Sequence, residues 1–197
     1  MARTGSSSAV NGPIADAEFG TNDMQRVMII GGSGSGKSTL AREIGARLGL
    51  PVIHMDSLIF SPGWKEVPEP VFLDRVEAAL TEDAWVMDGN YSRTWPQRLA
   101  RADSVIFLDI PTWLRLWRVI RRVATGYGRT RPDLAPGCPE QIDLGFIFGW
   151  VPKYARDGRL KALTLMTDDG PAGHLARHHL RTRRDVARFL TDLPRAA

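Results

Sequence analysis

Eight residues near the start of the chain constrain it more than any others. Gly31-Gly32-Ser33-Gly34-Ser35-Gly36-Lys37-Ser38 fits G-x-x-x-x-G-K-[ST]. The motif stands between the apolar run Val27-Met28-Ile29-Ile30 and a segment in which Leu40, Ile44 and Leu48 recur at helical spacing. At average residue frequencies a random chain of this length meets the pattern about once in 150 trials. A strand, a glycine-rich turn and a helix in that order gather backbone N–H groups and the positive end of a helix dipole around one point, which makes an anion site. The expected phosphate contacts are Gly32, Ser33, Gly34, Ser35, Gly36, Lys37, Ser38 and Thr39. Lys37 suits the β- and γ-phosphates, and the Ser38 hydroxyl suits Mg2+. A dinucleotide fingerprint fails on spacing, because the sixth residue counted from Gly32 is Lys37 and from Gly34 is Thr39. The expected cofactors are therefore ATP and Mg2+.

The rest of the chain alternates strand and helix signals. Short apolar strands are predicted at Val52-Ile53, Trp85-Val86-Met87 and Val105 to Leu108, with a last one within His174 to Leu180. Helices are predicted at 69–80, after Pro111, across much of 143–166 and at 183–193. In the helix after Pro111, Leu114, Trp117, Ile120 and Val123 or Ala124 share one face, which is expected to be buried. The fold class expected is α/β, a three-layer nucleotide-binding fold with a central parallel sheet of about five strands. Residues 125–142 hold three glycines and three prolines and read as a small lid. Residues 1–25 read as a flexible tail without the apolar core of a signal peptide, and 26–197 as one domain.

Composition excludes several classes. One cysteine, Cys138, rules out an internal disulfide and a Cys-rich zinc site. No apolar run reaches the length of a membrane span, so no membrane partner is expected and the expected location is cytoplasmic. The 26 basic residues comprise 22 arginines and only Lys37, Lys65, Lys153 and Lys161 as lysines, for a net charge of +4. That surplus is too small to indicate nucleic acid. The oligomeric state is not legible in the sequence.

Phosphoryl transfer also needs groups that hold Mg2+ and orient the attacking atom. In open parallel sheets these lie beyond the carboxyl ends of strands, where Asp56, Asp88 and Asp109 fall. Asp88 is assigned to Mg2+ together with Ser38, and Asp56 to the acceptor as a binding or catalytic group. Asp109, just before Pro111, reads as a turn former or helix cap, and His54 as a packed strand residue.

The chain resembles the P-loop nucleotide kinases, in particular the adenylate-kinase-related branch known as topology-modulation proteins. The similar residues are Gly31 to Leu40, His54-Met55-Asp56, Pro62-Gly63-Trp64, Asp88-Gly89-Asn90-Tyr91, Leu108-Asp109-Ile110-Pro111, Arg131-Pro132-Asp133 and Gly137-Cys138-Pro139-Glu140. Asp88 to Thr94 looks like the D-G-F-P-R-T stretch of adenylate kinases with one extra residue before Arg93. The resemblance implies a kinase acting on a small acceptor such as a nucleoside monophosphate, with Arg93 near it. Lid arginines in such enzymes close over the phosphates. Arg122 and Arg129, which flank Gly126 and Gly128, are the first candidates here, with Arg118 and Arg131 beside them. Trp64 and Tyr91 are candidate acceptor contacts, while Cys138, His178 and His179 read as structural. Two other functions fit the same motif: a nucleotide-binding regulator of DNA topology, and an NTPase with no acceptor.

Overall fold

The computed structural model describes residues 24–194. The chain runs β1 (Arg26–Gly31), α1 (Lys37–Leu48), β2 (Val52–His54), α2 (Met55–Ile59), β3 (Phe60–Ser61), β4 (Lys65–Glu66) and α3 (Glu69–Leu80). It continues through β5 (Trp85–Asp88), α4 (Trp95–Arg101), β6 (Ser104–Leu108) and α5 (Thr112–Gly126). A π-helical stretch at Gly145–Trp150 leads into α6 (Val151–Arg156), α7 (Gly158–Leu165), β7 (Ala176–Leu180) and α8 (Arg183–Asp192). Five strands form one parallel sheet in the order β2-β5-β1-β6-β7, flanked by helices, as the alternating pattern predicts. The expected tail lies outside the described residues except for its last two positions, of which Met24 is buried against the core.

The strands are apolar throughout because both faces are covered. In β1, Met28 and Ile30 point into the core shared with α2, α3 and α7, whereas Val27 and Ile29 point into that shared with α1 and α8. Trp85 and Met87 against Val86, and Val105 and Phe107 against Ile106 and Leu108, repeat the division. Each such side chain contributes about 1.5–3 kcal/mol when fully buried. The strands are therefore stiff props, and their carboxyl ends hold whatever follows them in place.

Two expectations need correction. The buried stripe of α5 is Arg115, Val119 and Val123, while Trp117 and Ile120 are 50% and 43% exposed. Val119 and Val123 pack on Ile147 and Val151. Arg115 turns under the phosphate loop, where bare carbonyls need a donor more than they need an apolar neighbour. Asp109 is no simple cap: its carboxylate takes a two-pronged hydrogen bond from Arg159 at 2.7 and 2.8 Å and meets His179 Nε2 at 3.1 Å. It thereby ties α7 to β7 at the end of β6.

Burial pushes the Asp109 carboxyl upward, but hydrogen bonds from His179 and Arg159 outweigh it and bring it to about 2. The folded state thus binds this proton more weakly than the unfolded chain does. The stability from Asp109 is present in full above the ordinary carboxylate range near pH 4 and is lost as pH falls toward 2. Asp109→Asn is expected to cost about 2 kcal/mol at neutral pH. In urea unfolding the gap from wild type should narrow between pH 4 and pH 2; a gap independent of pH would contradict the pairing.

Candidate active site

The carboxyl ends of β1, β2 and β5 converge on one cleft of about 1140 Å3. In the sheet register Asp88 pairs with His54 and with Ile29, so the last residue of β5 lies between the end of β2 and β1, two residues before β1 ends at Gly31. Asp88 is 4% exposed, and both its oxygens are engaged. Oδ2 accepts from Ser38 Oγ at 2.8 Å, and Oδ1 lies 2.5 Å from His54 Nδ1. Burial pushes the Asp88 carboxyl up, yet the bond and charge of His54, the Lys37 ammonium and the Ser38 hydroxyl prevail, and the net direction is down. The carboxylate stays ionised. His54, expected to be packing, is instead a direct partner of the site, and its place opposite Asp88 comes from strand pairing that spacing does not reveal.

The phosphate loop takes the shape its glycines allow. Gly34 and Gly36 have φ of 79° and 102°, in the region that side chains resist. The Gly31 N–H donates to Asn90 Oδ1 at 2.9 Å. Lys37 Nζ donates to Gly32 O at 3.3 Å. Burial lowers the Lys37 ammonium, while Asp88 and Asp56 draw it back up without cancelling the shift.

From α5, Arg115 donates to Ser33 O at 3.3 Å, and Arg118 donates to Gly34 O at 3.4 Å and Ser35 O at 3.0 Å. Arg115 also lies 5.1 Å from the centre of the Tyr154 ring. The loop is clamped from behind by two guanidinium groups, a role that helical spacing alone does not reveal for Arg115.

Beyond the loop the cleft continues past Asp56 to an aromatic end. Asp56 sits in the first turn of α2, just past the strand end where it was expected. Its Oδ1 accepts from the Tyr91 hydroxyl at 2.7 Å. Burial raises the Tyr91 hydroxyl far above its ordinary range, and Asp56 adds to the rise, so it remains a donor. Trp64 and Tyr91 are the described non-glycine residues with positive φ, 60° and 23°, and both line the cleft with Phe60, Trp95 and Arg93. Arg93 faces Glu69 at 3.4 Å and lies over the Phe72 ring.

Residues 127–140 fold onto the hairpin of β3 and β4. Gly63 N–H donates to Gly137 O at 2.7 Å, Trp64 Nε1 to Pro139 O at 2.7 Å and Cys138 Sγ to Ser61 O at 3.2 Å. Two stretches some 75 residues apart in sequence thus meet. Above the cleft, Arg122 and Arg131 both pair with the buried Glu140, and Arg131 also with Asp133. Arg118, Arg122 and Arg131 line the cleft, whereas Arg129 is exposed and does not. Lys153 and Lys161 also line it, so three of the chain's four lysines meet there.

Ser38, in the first turn of α1, and Asp88, at the end of β5, offer the hard oxygen donors that Mg2+ prefers, and both line the cleft beside the glycine-rich loop. Among the described residues no group of three His, Cys, Asp or Glu side chains could hold a metal. One hydroxyl and one carboxylate side by side fit an ion that takes its remaining ligands from water and a bound phosphate, the usual manner of Mg2+. No described helix is long and apolar enough to cross a membrane.

The sequence matches no protein-family model, and no curated protein matches it. The fold is similar to that of shikimate kinase from Bacteroides thetaiotaomicron, at 14% identity and TM-score 0.53 over 86% of this chain and 96% of that one. It is equally similar, at 17% identity and TM-score 0.53 over 87% and 93%, to shikimate kinase from Acinetobacter baumannii in complex with shikimate. A gluconokinase from Sinorhizobium meliloti aligns at 14% identity and TM-score 0.49, covering 87% and 90%. Among these matches, the two shikimate kinases establish a shared architecture.

Proposed function

We propose that this chain is an ATP-binding, Mg2+-dependent phosphotransferase that moves the γ-phosphate to a small hydroxyl- or phosphate-bearing acceptor. The observation that carries the reading is the continuity of the cleft, which runs from the phosphate loop to Asp56 and Tyr91 within one cavity of about 1140 Å3. Ligand pockets commonly measure about 300–1,000 Å3, so this one has room for a nucleotide and a second molecule. A bare NTPase has no use for the second half. The architecture shared with two shikimate kinases supports the same reading.

In this scheme the backbone of Gly32 to Gly36 and the start of α1 cradle the phosphates. Lys37, Arg118 and Arg122 offset the charge that develops on the transferred group. Ser38 and Asp88 would hold Mg2+, which would supply positive charge against the phosphates. His54 keeps the Asp88 carboxylate turned toward Ser38. Asp56, steadied by the Tyr91 hydroxyl, orients the acceptor and takes its proton. Residues 125–142 serve as the lid of a single domain, and Arg129 reaches the phosphates only when that lid moves.

Two results test this. ADP formation from Mg·ATP should rise about tenfold or more when a suitable acceptor is added, with the phosphate recovered on the acceptor; a rate equal in water for every acceptor tried would leave only hydrolysis. Asp88→Asn should lower kcat by about 100-fold and raise the Mg2+ concentration needed for half the maximal rate. An unchanged Mg2+ requirement would remove Asp88 from the metal site.

A further inference from the structure

The acceptor half of the cleft has a chemistry of its own, and it bears on what the enzyme proposed above phosphorylates. Asp56 holds the Tyr91 hydroxyl, and Phe60, Trp64 and Trp95 line the same cleft. Phe60 and Trp64 meet edge to face at 5.2 Å, and Tyr91 is braced by Phe72 at 5.4 Å. The indole N–H groups of Trp64 and Trp95 are spent on the backbone carbonyls of Pro139 and Asn90, which fixes these side chains in place and takes their donors out of ligand recognition. Apolar ring surface therefore dominates this end, with one carboxylate set into it. Asp56 Oδ1 holds the Tyr91 hydroxyl, and the remaining lone pairs of the carboxylate are available to hydroxyl donors.

The charges that act on the Tyr91 hydroxyl are the carboxylates of Asp56 and Glu66 against Arg93 alone, and Arg93 is 44% exposed and already faces Glu69 at 3.4 Å. An anionic group bound there would meet Asp56 and Glu66 with only a rim guanidinium in return. The cations nearest Asp56 in effect, Lys37 and Arg122, belong to the phosphate end. Lys153, Lys161 and Arg131 line the same cleft, but beside Tyr91 and Asp56 a phosphate or carboxylate would meet two carboxylates with the exposed Arg93 as the nearby cation, and a poorly paired charge is costly to bury. Hydroxyl groups on an apolar ring meet what is present: ring faces for C–H surface, and a carboxylate for two O–H donors.

We infer that the acceptor is an uncharged polyhydroxylated ring, of the sugar or cyclitol class, carrying neither phosphate nor carboxylate. This rests on the phosphotransferase reading for the reaction but not for binding. The test is equilibrium binding to the full chain with Mg2+ and a non-hydrolysable ATP analogue, followed by tryptophan fluorescence and calorimetry. The probes are neutral hexoses, pentoses and cyclitols, the same rings bearing phosphate, carboxylate or amino groups, and nucleoside monophosphates.

Saturable binding of a neutral ring, at least about tenfold tighter than its charged counterparts, is expected, with a further loss of about tenfold in Asp56→Asn. Tighter binding of a nucleoside monophosphate or of any charged ring overturns the inference, as does saturable binding by none of them. The preference of the wild-type chain is decisive even if Asp56→Asn fails to fold. A neutral ring that binds but is never phosphorylated leaves this inference standing and removes the phosphotransferase reading instead.

Discussion

Lys37→Ala is expected to lower phosphoryl transfer by about 1,000-fold or more while leaving the melting temperature equal to or above that of wild type. The two halves of this result have separate causes. The ammonium stands at the floor of the cleft, beside the Asp88 carboxylate and the loop carbonyl of Gly32. There it would neutralise charge that builds on the transferred phosphate, and no other described lysine occupies that position. For the fold alone, however, the charge is a burden. Burial holds the Lys37 ammonium below its ordinary value, so the unfolded chain binds that proton more tightly than the folded one. While the ammonium is charged in both states the burial opposes folding, and the cost fades as pH rises from the lowered value to the ordinary one. Removing it does not orphan Asp88, which keeps Ser38 and His54. A calorimetric scan with an ADP-release assay checks both halves. Unchanged turnover would end the kinase assignment, and a large loss of stability would mean that the lysine is part of the scaffold.

The second large effect is expected from Gly34→Ala. Gly34 has φ of 79°, and a Cβ placed there would lie 2.4 Å from the Arg115 carbonyl oxygen and 3.0 Å from Val119 Cγ2. That carbonyl belongs to the interior of α5 and cannot swing aside as a side-chain tip can. Two penalties add: strain from the left-handed backbone, and overlap with a helix. Together they should cost about 2–4 kcal/mol. The loop would be driven off α5, and the bonds from Arg118 to Gly34 and Ser35 would be lost. Affinity for an ATP analogue should fall about 100-fold. Gly128→Ala separates the two causes, since Gly128 has φ of 73° with nothing within 4 Å. It should cost about 1 kcal/mol of stability. If the two variants behave alike in urea unfolding and nucleotide calorimetry, the clamp by α5 is not what holds the loop.

The same clamp shows where sequence patterns stop being informative. Period-3.6 reasoning assigns the inner face of α5 to Trp117 and Ile120 because it scores apolarity, yet the helix buries Arg115 instead. The neighbour of α5 is a loop of unpaired carbonyls, and such a neighbour selects donors. Asp109 follows the same logic. As a residue before Ile110-Pro111 it has the composition of a turn, but parallel pairing of β6 with β7 places His179 beside it, and α7 delivers Arg159. His54 likewise gains its role from standing opposite Asp88 in the sheet.

What the sequence determined by itself is local and periodic. The phosphate loop, the strands on either side of the core, the helix at Glu69–Leu80 and the five-stranded parallel sheet all follow from near-neighbour spacing and from apolar runs buried on two faces. Lys37, Ser38 and Asp88 were legible because each stands at the end of a strand or the start of a helix, where the backbone dictates direction.

The tertiary structure alone decided the rest. It joined Trp64 to Pro139 and Tyr91 to Asp56, and it set Arg122 and Arg131 on Glu140 rather than leaving them as free cations. It also left Arg129 outside the cleft. The contacts of Trp64 with Pro139 and of Tyr91 with Asp56 link residues 75 and 35 positions apart, and a spacing pattern carries no information about which distant groups a fold will bring within 3 Å. The eight residues from Gly31 to Ser38 carry the expectation that the chain holds phosphate. What stands opposite that loop is set by the walls the sheet raises there.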